Sequence, residues 1–230
     1  MHHFRVFVII KRYYGKKHSS NLWLERQSRD PYVKRAREED WRCRSAFKLL
    51  EIDAKHKLLK PGQLVIDCGC APGSWTQVIV QKINANDNDI KWPKGTAIGI
   101  DLQHVNPITG AILLSKCDFT SAITQAEILQ KLGNKKADLV LSDMAPACSG
   151  DRSMDHDKII ELCSSVIRFS TVVLKKDGAV LCKIWMGGQQ KLLEDAMRKL
   201  FLNVKYVKPN ASRDDSAEIY LLARNFKGMT

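Results

Sequence analysis

The sequence predicts an α/β fold with a doubly wound, mostly parallel sheet of seven strands. Two observations lead to this prediction. Short apolar stretches alternate with helical patterns along the chain, as in parallel strands joined by crossover helices. The last two strands are separated by only about ten polar residues, too few for such a helix, and are therefore expected to be antiparallel. With 230 residues, 44% of them hydrophobic, the chain can bury one full core.

The elements are expected in the following order. A helical pattern covers 30–57, followed by a strand that begins with the apolar run 64–66, a helix at 74–83, strands at 96–102 and 111–117, a helix at 121–132, a strand at 137–142, a helix at 155–174, a strand at 179–186, a helix at 189–201, and strands at 204–207 and 218–223. No internal repeat or low-complexity tract interrupts this series. The pattern predicts a single domain over 21–230.

The pattern at 30–57 begins with Asp30 and Pro31, a good N-cap followed by a proline in the first helical turn. On one continuous helix, Arg44 and Lys48 are neighbours of like charge. Such a pair costs a few tenths of a kcal/mol unless an anion lies opposite. The apolar side of this helix is predicted to contain Trp41, Phe47, Leu50 and Ala54.

The stretch 64–75, LVIDCGCAPGSW, combines an apolar strand, a turn of small residues and a helix start. This layout lets backbone N–H groups approach a nucleotide-like ligand. Neither the spacing of a dinucleotide fingerprint nor the lysine of a P-loop is present, which favours a ligand without phosphates. An ordinary strand-to-helix turn is the alternative that this stretch alone leaves open.

Acidic residues follow the predicted strands at one edge of the sheet: Asp67, Asp101, Asp118 and Asp143. Ligands of open α/β sheets bind at this edge, so at least two of these carboxylates should face one. Asp101 is placed to accept from ribose hydroxyls and Asp118 to meet an adenine amino group. Lys183 lies within an apolar strand, where a lysine is costly to bury unpaired. Glu218 begins the antiparallel strand and should reach the same edge.

The net charge of +12 is concentrated near the start of the chain. Through Lys60 there are 16 Lys and Arg against 7 Asp and Glu, an excess of 9. This asymmetry favours a polyanionic partner, nucleic acid before an anionic membrane surface. Residues 1–20 contain no acid and five Lys or Arg, which predicts an organelle import presequence, with a basic arm that contacts nucleic acid as the alternative.

The chain has seven cysteines and no C-x-x-C pair, which indicates reduced core residues rather than a disulfide or zinc framework. No apolar run is long enough for a membrane span. The triplet Asp155, His156, Asp157 is read as a helix start rather than a metal ligand set, and no metal is expected.

Several motifs in order now resemble one family. DCGCAPGSW, SDMAP, LCKIWMG and SAEIYLLA, preceded by RSAFKLLEI, resemble the FtsJ-like ribosomal RNA 2′-O-methyltransferases over about residues 21–224. MDHDKIIELC and the basic N-terminus are most similar to the mitochondrial branch. The resemblance implies a Rossmann-like class I methyltransferase fold and S-adenosylmethionine as the methyl donor.

The family's Lys-Asp-Lys-Glu tetrad falls on Lys48, Asp143, Lys183 and Glu218. The resemblance places cofactor contacts on Pro72, Gly73, Ser74, Trp75, Asp101, Asp118 and Asp143. Ser74 replaces a glycine found in many members, and it could cap the following helix. RNA backbone contacts are expected from Lys34, Arg35, Arg37, Arg42, Arg44, Lys208 and Arg213.

The expected reaction needs an oxygen nucleophile in line with the donor methyl, and a ribose 2′-OH is a weak acid. We hypothesise that Lys183, kept neutral by partial burial and by the like charge of Lys48, takes its proton. If the carboxylates dominate, Lys183 stays an ammonium that positions the substrate and stabilises the forming oxyanion. The sequence leaves this choice open.

The expected substrate is mitochondrial large-subunit ribosomal RNA, methylated at a uridine of the peptidyl-transferase region in the matrix, with S-adenosylhomocysteine as the product. The RNA is expected within a large-subunit assembly intermediate, and the protein as a monomer. One alternative is a 2′-O-methyltransferase of transfer RNA or of the messenger cap. The other is an RNA-binding ribosome-assembly factor with secondary catalysis.

Overall fold

Seven strands form one sheet in the computed structural model, which describes residues 28–147, 149–213 and 215–228. The strands are β1 Leu64–Cys68, β2 Thr96–Asp101, β3 Ala111–Ser115, β4 Ala137–Ser142, β5 Leu174–Trp185, β6 Phe201–Val207 and β7 Glu218–Phe226. The helices are α1 Pro31–Glu38, α2 Ala46–His56, α3 Ser74–Lys82, α4 Ala122–Leu132, α5 Arg152–Val173 and α6 Gln190–Leu200. The presequence predicted at 1–20 lies outside the described residues.

The strand order β3-β2-β1-β4-β5-β7-β6 confirms the doubly wound prediction. Strands β1 to β5 are parallel to one another, and β7 is antiparallel to both β5 and β6. The antiparallel pairing predicted for the last two strands is therefore confirmed. Because β7 runs in the opposite direction, its first residue pairs with the last residue of β5, Glu218 with Trp185.

Alternate residues of the strands enter two hydrophobic cores, one on each face of the sheet. Ile66 of β1 packs with Ile128 of α4 and Val166 of α5 on one face. Val65, the adjacent residue of β1, packs with Leu49 of α2 on the other face. Helices therefore cover both faces, and only the edges formed by strand ends are open to ligands.

The helical pattern predicted at 30–57 is two helices rather than one. Asp40 has a positive φ of 57°, and the Trp41 amide donates to the carbonyl of Ala36, so α1 ends before the chain turns. Arg44 precedes α2, and it is therefore not the helical neighbour of Lys48 that the periodicity predicted. Ala54, placed by the sequence on the apolar side, is exposed.

Other element bounds differ by a few residues. Helix α5 begins at Arg152 because Asp151 caps it, accepting from the amides of Ser153 and Met154. Strand β5 begins five residues before its predicted start, since Leu174 already pairs with Ala137. Among the described residues, no helix combines the length and apolar character that a membrane crossing requires.

Candidate active site

The four tetrad residues meet at the edge where the parallel strands end. Asp143 follows β4, Lys183 lies near the end of β5, and Glu218 begins β7. Lys48 belongs to α2, which packs on one face of the sheet, and its side chain reaches this edge. The antiparallel direction of β7 is what brings Glu218 to this edge, as the sequence predicted.

The tetrad is organised as two ion pairs. Lys183 Nζ lies 3.2 Å from Asp143 Oδ1 and donates to the Asp143 backbone carbonyl at 2.5 Å. Lys48 Nζ lies 2.7 Å from Glu218 Oε1 and 2.8 Å from Oε2. All four side chains are largely buried. Each lysine therefore has a carboxylate within hydrogen-bond distance.

Three hydroxyl groups that the sequence did not single out complete the network. The Tyr220 hydroxyl donates to Asp143 Oδ1 at 2.7 Å and lies 3.5 Å from Glu218 Oε1. Ser45 Oγ donates to Asp143 Oδ2, and Ser212 Oγ donates to Glu218 Oε1, each at 2.8 Å. Tyr220 could have been found by its spacing, since residues two apart on a strand share a face.

These contacts keep Asp143 ionised. Burial alone would raise the pKa of its carboxyl group. The charges of Lys183 and Lys48, with the hydroxyls of Tyr220 and Ser45, outweigh burial and lower the pKa below its usual value. Burial and the two carboxylates raise the pKa of Tyr220, so its hydroxyl remains a donor.

A cavity of about 780 Å³ opens beside the tetrad. Its floor is formed by the ends of the strands, where Asp101, Asp118 and Asp143 line it together. One wall comes from α5, which the sequence did not predict to contribute. The α5 residues are Lys158, Glu161, Leu162, Ser165 and Arg168. This volume suits a nucleoside-sized ligand.

Two of the cavity carboxylates are held by nearby backbone groups. Asp101 accepts from the amides of Ala71 and Gln103, at 2.8 and 2.7 Å. Asp118 Oδ1 accepts from the amide and the hydroxyl of Thr120. The carboxylates are thus fixed in orientation and retain lone pairs for hydroxyl and amino donors of a ligand.

The turn that the sequence expected to hold the cofactor reaches the cavity through Gly69 and Ala71. Pro72, Gly73, Ser74 and Trp75 do not line it, and their contacts with a cofactor remain a prediction. Trp75 is buried, with its indole donating to the Ser45 carbonyl at 2.8 Å, so it links the turn to the residue that holds Asp143.

Ser74 does not cap α3, contrary to the sequence prediction. Gly73 occupies the cap position with a positive φ of 114°, and Ser74 is the first helical residue. The Ser74 hydroxyl instead lies 3.0 Å from Cys43 Sγ. An added Cβ at Gly73 would meet Arg42, so this close approach favours glycine.

Asp67 lies inside β1, behind the cavity, and does not line it. Its Oδ2 accepts from the Thr76 hydroxyl at 2.7 Å, while the buried Oδ1 has no hydrogen-bond partner among the described residues. Burial, partly offset by Thr76, raises the pKa of Asp67 to about 7.

We expect Asp67→Asn to change how stability depends on pH. The ordinary pKa of an aspartate in an unfolded chain is about 3.9, and that of folded Asp67 is about 7. Between these values the folded state keeps a proton that the unfolded state has lost. The free energy of unfolding therefore falls as pH rises, by up to about 1.4 kcal/mol per pH unit.

Denaturant unfolding of the parent and of Asp67→Asn at about pH 5 and about pH 8 measures this effect. The asparagine variant should gain stability relative to the parent as pH rises. Asp177→Asn, at an exposed position, should show no such gain. If the free energy of unfolding changed equally with pH in the parent and in Asp67→Asn, the assignment of the retained proton to Asp67 would be contradicted.

The residues predicted to contact RNA differ in their present partners. Arg42 donates to the carbonyls of Pro72, Asn106 and Pro107, all at 2.8 Å, and so clamps the turn at 72–75 to the loop after β2. RNA contact by this guanidinium would compete with these three bonds. The clamp is a role that the sequence did not predict.

Five of the other six predicted RNA contacts also have partners within the protein. Arg44 and Arg213 both pair with Asp30, and Arg44 also donates to the Ala211 carbonyl at 2.7 Å. At the surface, Lys34 pairs with Glu38 and Arg35 pairs with Glu39. Lys208 donates to the Ser216 carbonyl. Arg37 is exposed and has no ionic partner among the described residues.

The triplet at 155–157 lies in the first turns of α5 and holds two loops of the active-site edge. Asp155 accepts from the amide and hydroxyl of Ser149 and from the Gly150 amide. His156 and Asp157 both accept from Gln189, in the loop after β5. Within the described ranges no cluster of His, Cys, Asp or Glu could hold a metal ion.

Comparison with known proteins shows which family and which chains this protein is similar to. A family model described as "FtsJ-like methyltransferase" matches residues 41–226. The chain is 47% identical to "rRNA methyltransferase 2, mitochondrial" of Drosophila melanogaster, covering 94% of this chain and 86% of that protein. It is 49% identical to the protein of the same name from Caenorhabditis elegans, covering 92% and 98%.

A bacterial relative and a solved structure are also similar. "Ribosomal RNA large subunit methyltransferase E" of Cereibacter sphaeroides is 45% identical, with 96% of this chain and 90% of that protein covered. A solved structure of a ribosomal RNA methyltransferase from Plasmodium falciparum superimposes with a TM-score of 0.71 at 30% identity, covering 82% of this chain and all of that chain.

Proposed function

Because the chain belongs to the FtsJ-like methyltransferase family, we propose that it transfers a methyl group from S-adenosylmethionine to a ribose 2′-OH of mitochondrial large-subunit ribosomal RNA. The target is a uridine of the peptidyl-transferase region, and S-adenosylhomocysteine is the second product. The names of the relatives support methylation of ribosomal RNA, and the 2′-OH position and the uridine are our proposal.

One observation carries the 2′-O assignment. Lys183, Asp143, Lys48 and Glu218 form two buried ion pairs directly beside a nucleoside-sized cavity. Asp143 belongs both to the pairs and to the cavity wall, so a group held in the cavity lies next to Lys183. A lysine at this position can exchange a proton with a hydroxyl group, which is the chemistry that an alcohol nucleophile requires.

The cavity fits S-adenosylmethionine chemically. Its lining contains Asp101, Asp118 and Asp143, carboxylates that attract a cationic sulfonium and accept from ribose and amino groups. The sequence has neither phosphate-binding motif, in keeping with a ligand that carries no phosphate. When bound, this cofactor supplies an electrophilic methyl group on sulfur.

The residues of this chain then act on the acceptor. Lys183, in its neutral form, removes the proton of the 2′-OH group and so prepares the oxygen as a nucleophile. Bound S-adenosylmethionine would supply the methyl group and would leave as S-adenosylhomocysteine. Asp143, held by the Tyr220 hydroxyl, orients Lys183, and Glu218, held by Lys48, lies beside the same hydroxyl.

The location and the assembly context also form part of the proposal. The names of two relatives specify mitochondria, and residues 1–20 have the composition of an import presequence. The catalytic domain then covers 21–230. We place the protein in the matrix, as a monomer acting on large-subunit assembly intermediates.

Methyl mapping tests this function. Purified protein, S-adenosylmethionine and either a mitochondrial large-subunit RNA transcript or immature large-subunit particles should give one new 2′-O-methyluridine in the peptidyl-transferase region. Transfer RNA and capped messenger RNA, offered under the same conditions, should remain unmodified.

The remaining outcomes distinguish the alternatives. Methylation of transfer RNA or of a cap in preference to ribosomal RNA would contradict the substrate assignment. Tight binding to particles with no methyl transfer to any of these RNAs would instead indicate an assembly factor.

A further inference from the structure

A second group of cations lies at the opposite edge of the sheet from the active site. We call Lys57, Lys60, Lys205 and Arg224 the rear cluster. Lys57 and Lys60 precede β1, and Arg224 lies near the end of the antiparallel strand β7. Arg224 pairs with Ala179 of β5 and with Asn203 of β6, so the cluster spans several neighbouring strands.

The rear cluster lines two adjoining cavities of about 420 Å³ each. Lys57, Lys60 and Arg224 line the first cavity, and Lys205 and Arg224 line the second. Arg224 lines both, so the two cavities adjoin, and we call them together the rear groove. Concave basic surfaces concentrate the field that attracts polyanions.

The four cations of the rear cluster have no acidic partner among the residues that the structure describes. Asp138 lies in the first cavity, but it pairs with Lys175 and accepts from the Leu64 amide. Asp177 also lines this cavity and is exposed to solvent. In the tetrad, in contrast, Lys48 and Lys183 are each paired with a carboxylate.

His56 lies close enough to the rear cluster for the charges of the cluster to act on it. Its imidazole is 8% exposed, and its Nε2 has no hydrogen-bond partner among the described residues. Burial first, and then the charges of Lys205, Lys55 and Arg224, lower the pKa of His56. An anion bound in the groove would compensate this field.

We infer that the rear cluster binds the phosphodiester backbone of a second segment of the substrate RNA, distant from the methylated nucleotide. This inference rests on the proposed function, because it takes ribosomal RNA as the partner. Strands of five or six residues separate the two edges by roughly 20 Å. Because the protein lies between the two edges, an RNA must pass around it to contact both, which a folded RNA with several segments can do.

The shape of the groove favours RNA over an anionic membrane. The cations line concave cavities, which match a projecting phosphate ridge better than a flat bilayer surface. Contacts of this kind neutralise phosphates and release counterions, so they strengthen affinity in a salt-dependent way without adding sequence specificity.

The test compares Lys60→Glu/Lys205→Glu with the parent on two RNAs. Both lysines are exposed, so the double variant should fold. On a long transcript of the large-subunit RNA, affinity should fall about tenfold or more, and the slope of log affinity against log salt should become shallower by about two. On a short hairpin carrying only the target region, affinity and turnover should be unchanged.

The control is Lys91→Glu/Lys131→Glu, which makes the same charge change at exposed positions that line neither cavity. It should bind the long transcript more tightly than the Lys60→Glu/Lys205→Glu variant does. Equal affinity of the rear-cluster variant and the parent for the long transcript would overturn the inference. Equal losses in both double variants would also overturn it, by showing a general charge effect.

A third arm uses vesicles of phosphatidylglycerol and phosphatidylcholine. If the rear-cluster variant loses vesicle binding and keeps long-RNA affinity, the groove binds a membrane and the inference fails. Failure of the parent to methylate both the long transcript and immature large-subunit particles would count against the proposed function alone, since the rear cluster is assessed by the binding measurements.

Discussion

Lys183→Arg is expected to abolish methyl transfer and to leave cofactor binding intact. Arginine keeps the positive charge beside Asp143, but a guanidinium does not give up its proton at any working pH. If Lys183 is the base, the rate should fall about 10²- to 10⁴-fold. Single-turnover transfer to the RNA substrate measures the rate, and equilibrium titration measures binding of S-adenosylmethionine.

The matched control is Lys176→Arg, the same change at an exposed position of β5. It should keep parental rates. Activity within a few-fold of the parent in Lys183→Arg would eliminate Lys183 as the base and leave it the role of positioning the substrate and stabilising the oxyanion. The pH–rate profile of the parent adds a second criterion, because a neutral amine base requires the rate to rise with pH.

Breaking the Lys48–Glu218 pair is expected to have the largest effect on stability. The two side chains are 12% and 11% exposed, so removing one charge leaves the other buried without a counterion. Lys48→Met and Glu218→Gln should each lower the free energy of unfolding by roughly 3–5 kcal/mol. Denaturant unfolding measures the loss.

The double variant Lys48→Met/Glu218→Gln separates the contribution of the pair to folding stability from its contribution to methyl transfer. Glutamine retains an oxygen that can accept from Ser212, whose hydroxyl donates to Glu218. With neither charge present, the free energy of unfolding should regain most of what each single variant loses, whereas methyl transfer should remain impaired. A double variant as unstable as the sum of the single variants would show that the two side chains do not act as a pair.

Local patterns predicted much of the fold because they report burial. Apolar stretches that alternate with helical periodicity gave all seven strands, although α5 and β5 begin earlier than predicted. The break between α1 and α2 was missed because a positive φ at Asp40 leaves no mark in hydrophobic periodicity. The antiparallel β7 followed from loop length, and it placed Glu218 correctly at the active-site edge.

Motifs predicted which residues form the candidate site, but they did not predict all the side chains that these residues contact. The resemblance named Lys48, Asp143, Lys183 and Glu218, and the structure brings them together. It did not name Tyr220, whose hydroxyl lies between the two carboxylates.

The sequence by itself determined the order of the strands along the chain, the acidic residues at their ends and the excess of positive charge, because each of these is a property of a position or a short segment. Only the tertiary structure decided which charges meet. Lys48 and Glu218 are 170 residues apart, and Arg42 donates to carbonyls on two separate loops. Such partners depend on how distant strand ends and helices come together, and every buried polar group must then be satisfied by whatever lies beside it.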